Sequence, residues 1–136
     1  MSDLSRFADA QERVYDDALS ELRAGRKTSH WMWFVFPQIA GLGRSPTAQR
    51  YAIASLGEAE AYLAHPVLGE RLRESARVLS ELEGRSAEQV FGGLDAQKLR
   101  SSMTLFARAA PDEPLFRDVL ARYFGGEEDA ATVQRL

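Results

Sequence analysis

The stretch Lys27-Thr-Ser-His30-Trp-Met-Trp-Phe-Val-Phe-Pro37 gathers both tryptophans of the chain and two of its seven phenylalanines. Its apolar run is short enough to be a buried strand or a buried helical turn, because hydrophobic spacing does not separate the two at that length. Pro37 ends it in either case by pushing Phe36 out of the helical region. No later segment offers a convincing strand to pair with it, so a helical turn is favoured, and with it an all-α fold.

Outward from this stretch the helical spacing is clearer. Upstream, Leu4, Phe7, Gln11, Val14, Ala18 and Leu22 recur with helical periodicity. Asp3 is placed to cap them and Gly25 to stop them, which predicts one long amphipathic helix. Downstream, Gly41-Leu-Gly43-Arg-Ser45-Pro46 reads as a loop entering a helix, with Ser45 as N-cap and Pro46 in its first turn. Ser55 to Glu58 has capping-box spacing, and Pro66 opens a helix with Leu68, Leu72, Leu79 and Leu82 on one face. A second capping box, Ser86 to Gln89, starts a stretch that Gly92 and Gly93 should terminate, after which Asp95 is placed to cap the next helix. Leu99, Met103 and Phe106 form its stripe, and Pro111 stops it. Pro114 to Gly125 and a last turn capped within Glu127-Glu-Asp129 complete about seven or eight mostly short helices. No repeat and no low-complexity linker divides residues 1–136, which read as a single α-helical domain.

The composition bounds the class of protein. With 136 residues, 45% hydrophobic and 27% charged, the chain can bury about two-thirds of its surface without metal or disulfide support. Seventeen Lys and Arg against twenty Asp and Glu give a formal charge of −3, which argues against an extended nucleic-acid footprint but leaves room for a local basic pocket. The lack of cysteine removes thiolate chemistry and fits a reducing cytoplasm. The opening Met-Ser-Asp3-Leu-Ser-Arg6-Phe carries an early acid and no apolar leader region, and the longest apolar run is too short to cross a bilayer. A cytoplasmic protein without membrane contact is therefore expected, its oligomeric state open. Metal binding is not expected, since the two histidines, His30 and His65, stand far apart with no carboxylate at ligand spacing.

Three groups of residues can carry chemistry. Lys27, His30, Trp31, Trp33 and Gln38 combine stacking faces with an amine that can meet a phosphate, although such aromatic runs also serve simply as core. Gly41, Gly43 and Ser45 offer backbone N–H groups near a helix start, an arrangement that attracts anions but is also a common turn. Lys98, Ser101 and Ser102 share one face of the helix that continues to Thr104, where they can cradle a phosphate or ribose, or else serve a close helix contact. Among the carboxylates, capping accounts for Glu58 and Asp95, leaving Glu60 unassigned. Arg71, Arg73, Arg77 and Arg85 are expected to form a solvated face paired with Glu70, Glu74 and Glu81.

Taken together, Lys27-x-x-His30-Trp-Met-Trp-Phe-Val-Phe-Pro-Gln38, Gly41-Leu-Gly43-x-Ser45, His65-Pro66 and Asp95-x-x-Lys98-x-x-Ser-Ser-Met-Thr104-Leu-Phe106 resemble the domain of unknown function 1810 family over nearly the whole chain. The resemblance implies a small, single-domain, mainly α-helical bacterial protein without an assigned activity. The layout is also similar to that of a helical family of N-glycosidases acting on ADP-ribose-type or riboflavin-pathway nucleotides. That similarity implies Trp31 or Trp33 stacking on a base and Lys27 and Lys98 meeting phosphates. Glu60 or Asp95 would then stabilise an oxocarbenium-like centre. The expectation is one pocket where the His30–Gln38 segment meets the glycine loop and the Lys98–Thr104 helix, binding a phosphorylated nucleotide-like small molecule of NAD or ADP-ribose type. No cofactor is implied. The competing expectation is an interaction module whose aromatics fill a core or an interface.

Overall fold

The computed structural model describes residues 3–136, so Met1 and Ser2 of the opening segment lie outside the described residues. Among the described residues there are nine helices and no strand, and the accessible surface is 7140 Å².

Helix α1 (Ser5–Gln11) and helix α2 (Tyr15–Ala24) take the place of the single long helix expected from Leu4 to Leu22. The apolar stripe is right, but its axis bends. The N–H groups of Glu12 and Val14 donate to carbonyls three residues back, and Val14 adopts φ −120°. The bend lets α1 pack on α3 (Met32–Val35) while α2 packs on α6 (Leu68–Glu81). Gln11 at the corner turns inward, its amide donating to the Phe34 carbonyl at 2.7 Å and the Tyr62 hydroxyl at 3.1 Å. A buried polar group bonded this way fixes the corner, since leaving it unpaired would cost about 1–3 kcal/mol.

The aromatic stretch forms the single turn α3 and then extends. Beyond Pro37 it makes a pairing not foreseen from the sequence, a parallel bridge between Ile39 and Ile53. The Ile53 N–H donates to the Gln38 carbonyl and the Ala40 N–H to the Ile53 carbonyl, both at 2.8 Å. Both isoleucines are buried, so the bridge pairs backbone groups that water cannot reach. Ser45 caps α4 (Pro46–Arg50) as expected. At α5 (Leu56–Ala64) only half of the anticipated capping box forms. Ser55 accepts the Glu58 N–H, but the Glu58 carboxylate turns to the Ala54 N–H and to Arg6. Helix α6 starts two residues after Pro66, because the His65 imidazole Nδ1 accepts the N–H groups of Val67 and Leu68, both at 3.1 Å.

Helix α7 (Ala87–Ala109) opens with the Ser86/Gln89 capping box. Gly92, with φ 79° and ψ 166°, a conformation essentially reserved for glycine, ends that first helical stretch as expected, and a second stretch resumes directly after it, so α7 is two helical stretches joined at a kink. Asp95 consequently lies inside α7 and is not a cap, and its carboxylate is used elsewhere. The second half of α7 is the central helix, packed by α5, α8 (Leu115–Phe124) and α9 (Ala130–Val133). Every residue from Ser101 to Ala107 is buried, and the Phe106 ring lies 5.4 Å from Tyr62 and 6.0 Å from Phe116. No helix among the described residues is long and apolar enough to cross a membrane.

Candidate functional site

Glu21, in the last turns of α2, organises the entry to the aromatic stretch. Its carboxylate accepts the N–H groups of Thr28 and Ser29, the Ser29 hydroxyl and the Trp31 indole N–H, at 2.6–3.0 Å. The indole of Trp31 is thereby anchored inward and is 1% exposed. Trp33, two positions on, is left half-buried. Burial pushes the Glu21 carboxyl up, but the donors from Ser29, Thr28 and Trp31 outweigh it and bring it down to about 2 from an ordinary 4.5. The clamp therefore stabilises the fold fully above about pH 4.5 and is lost as pH falls toward about 2. Glu21→Gln is expected to flatten that loss, so that between about pH 5 and about pH 3 urea midpoints fall less for the variant than for the wild type. Equal slopes would contradict the clamp.

The Lys27 N–H donates to the Val90 carbonyl at 2.8 Å, tying this segment to the first part of α7. The tie brings together residues far apart in sequence. The Lys27 ammonium lies 2.8 Å from one Asp95 oxygen, and the Lys98 ammonium lies 3.1 Å from the other. Each ammonium also faces an indole, Lys27 at 5.2 Å from Trp31 and Lys98 at 5.1 Å from Trp33. Above them opens a shallow cleft of about 340 Å³, walled by His30, Trp33 and the Gly92-Gly93-Leu94 bend. That volume sits at the lower end of small-ligand sites. Burial alone would raise the Asp95 carboxyl, but its hydrogen bonds to Lys27 and Lys98 and their charges prevail and hold it below the usual range. An ionised carboxylate between two ammonium groups leaves the cluster with one net positive charge. Such a cluster beside an aromatic face can attract an anion that carries a ring.

Of the residues singled out from the sequence, Lys27, His30, Trp33, Asp95 and Lys98 meet in this cleft. The others do not. Trp31 is sealed in the core and offers no stacking face. Gln38, Gly41 and Gly43 line a separate recess of about 10 Å³ that shares Trp33 with the cleft. Ser45 is exposed, and its hydroxyl is occupied in capping α4. Ser101 and Thr104 turn to Asp129 before α9: the Ser101 hydroxyl donates to its carboxylate, and the Thr104 hydroxyl oxygen accepts its N–H. Ser102 is fully buried and its hydroxyl has no hydrogen-bond partner. The helical face shared by Lys98, Ser101 and Ser102 meets solvent at Lys98 only, because Ser101 and Ser102 are both buried. Glu60 is exposed on α5 and lines neither hollow.

Paired glycines read correctly as the end of a helical stretch, but nothing in that reading places Gly92-Gly93-Leu94 at the lip of the cleft. A broader groove of about 710 Å³ between α2 and α6 was also missed. There Arg71 lies over the Tyr15 ring at 4.9 Å, and the Tyr15 hydroxyl bonds Glu74. Arg73 does not pair with a glutamate on its own helix but grips Glu113 with two bonds, at 2.7 and 3.1 Å. This groove is larger than the cleft, but its aromatic ring, Tyr15, is covered by Arg71 and its hydroxyl is bonded to Glu74. Among the described residues no cluster of His, Asp and Glu is suited to hold a metal.

The family model described as "Protein of unknown function (DUF1810)" matches residues 1–136. The chain is similar to the crystal structure of the conserved hypothetical protein Rv1873 from Mycobacterium tuberculosis, with 56% sequence identity. That similarity covers 98% of this chain and 96% of the other, at a TM-score of 0.97. No curated protein matches the chain.

Proposed function

The chain belongs to the DUF1810 family, and from the cleft that its central helix and aromatic stretch build together we propose that it binds a phosphorylated nucleotide-like small molecule. One observation carries this reading: the Lys98 ammonium is held at once on Asp95 and against the half-buried face of Trp33. A phosphate at the ammonium pair and a planar ring on the indole would use both features together. His30, exposed at the rim, is placed to donate a hydrogen bond to the same ligand. Binding is better supported than hydrolysis of an N-glycosidic bond. Both Asp95 oxygens are engaged by ammonium groups, and Glu60, the other carboxylate considered for that role, stands outside the cleft.

A protein-contact role draws on Leu94, which is 84% exposed on the lip. Thermal unfolding with ADP-ribose or NAD at millimolar concentration separates the two. A ligand at a hundredfold excess over its Kd adds about 2.7 kcal/mol to stability, a shift in Tm of about 5 °C or more for a domain of this size. Lys98→Ala is expected to fold, since a partly exposed pair contributes no more than about 1 kcal/mol, and to lose most of that shift. An unchanged wild-type Tm at millimolar ligand would count against the small-molecule reading.

A further inference from the structure

Leu94 is the most exposed large apolar side chain among the described residues, ahead of Leu136 at 43% and Val67 at 41%. A leucine in water is ordinary, and it is the position of this one that matters. Leu94 lines the cleft together with Trp33 and Lys98, whereas Val67 lies in the groove between α2 and α6. Only Gly92 departs from helical backbone within α7, so Leu94 belongs to the helical stretch 93–109, four residues before Lys98. That spacing sets the two side chains on one face, one turn apart, with Cβ atoms about 5–6 Å from each other. The Lys98 ammonium in turn faces the Trp33 ring at 5.1 Å. One wall of the cleft, from α7, thus carries an apolar side chain beside a cation, and the indole of α3 lies across the cation from it. The turn before Leu94 is unencumbered, since a Cβ at Gly92 or Gly93 would meet no atom within 4 Å.

Resting on the reading of the cleft given above, we propose that Leu94 is the second wall of a ring clamp, so that the unit recognised is a 5′-mononucleotide whose base lies between the Trp33 indole and the Leu94 side chain. A planar base has two faces, and an indole covers one of them. The other face stays in water unless an apolar group stands over it. Phe91 also lines the cleft, but it is 8% exposed and its ring is committed to edge contacts with Trp31 and Phe36. Leu94 has no such commitment. The phosphate goes to Lys98, one turn along the same helix and beside the same indole. A cleft of about 340 Å³ is at the small end of ligand sites, which suits one ring system and its phosphate better than the two of a dinucleotide. In NAD or ADP-ribose the adenylate half takes this place and the remainder extends out of the cleft.

Calorimetric titration with adenosine 5′-monophosphate tests this on the wild type, Leu94→Ser and Leu94→Phe, with sedimentation of the same proteins alongside. Leu94→Ser is expected to weaken binding about threefold to tenfold, the effect of losing the cover of roughly half a leucine side chain. Its urea midpoint should stay close to that of the wild type, because the side chain is 84% exposed. Leu94→Phe restores an apolar second face and is expected to bind at least as tightly as the wild type. Wild-type affinity in Leu94→Ser, or a Leu94→Phe variant as weak as Leu94→Ser, would overturn the clamp and leave the cleft standing. A wild type that sediments as a dimer while Leu94→Ser sediments as a monomer would assign the leucine to a contact between copies and overturn the clamp as well. No binding of adenosine 5′-monophosphate to the wild type at millimolar concentration would overturn the reading of the cleft and the clamp together.

Discussion

Alanine at Trp31 is expected to destabilise the protein by about 3–5 kcal/mol, the range for deleting a buried large aromatic. The same change at Trp33 should cost about 1–2 kcal/mol and act mainly on ligand binding. The two tryptophans are separated by one residue and indistinguishable by composition, so the contrast comes entirely from where the fold puts them. Trp31 is 1% exposed, its ring centroid 6.3 Å from Phe36 and 6.4 Å from Phe91, and its indole N–H donates to Glu21. Removing it leaves a cavity lined by rings that cannot collapse without shifting α3 and the start of α7. Trp33 is half-buried, and removing it forfeits its contact with the Lys98 ammonium and the wall between the two hollows. Loss of a stacking face should lower nucleotide affinity about tenfold to a hundredfold. Urea unfolding and calorimetry on the two variants measure both effects, and equal stability losses would contradict this placement.

Gly69→Ala is expected to cost about 3 kcal/mol or more, against the usual gain from replacing glycine within a helix. A Cβ at position 69 would stand 2.1 Å from the Leu63 carbonyl oxygen and 2.8 Å from its carbon. Those atoms are backbone at the end of α5 and have no rotamer through which to yield. The Gly69 N–H donates to the His65 carbonyl and Arg73 donates to the Leu63 carbonyl, so separating α5 from α6 would strain two further hydrogen bonds. Gly57→Ala is the internal control. Position 57 is exposed in α5, its Cβ would meet nothing nearer than Ser55 Oγ at 3.7 Å, and its φ is not positive. There alanine should stabilise by about 0.4–1 kcal/mol. Opposite signs at the two positions, read from urea midpoints, are the expected result.

What could be read in advance follows physical range. Signals acting over three or four residues translated directly: Ser45, Ser86 and Asp129 cap helices, and Gly25 and Gly125 end them. The all-α class followed from the periodicity around them. Less legible was what depends on a distant partner. The bend between α1 and α2 is set by Gln11 bonding Phe34 and Tyr62, neither of which its own helix can reveal. Asp95 had the spacing of a cap, and only the tie between Lys27 and Val90 draws its carboxylate to two lysines. The site followed the same division. Lys27, Trp33 and Lys98 were recognisable as residues able to hold an anion beside a ring. Nothing in their spacing showed that Trp31 would be buried or that Ser101 and Thr104 would turn toward Asp129.

The most direct test of the cleft is an amide and indole chemical-shift titration of the labelled protein with ADP-ribose. The shifts are expected to concentrate at Lys27, His30, the Trp33 indole, Gly92 to Asp95 and Lys98, with the Trp31 indole and the Tyr15–Arg71–Arg77 groove little changed. Shifts confined to that groove, or no shifts at millimolar ligand, would contradict the assignment of the cleft as the binding site.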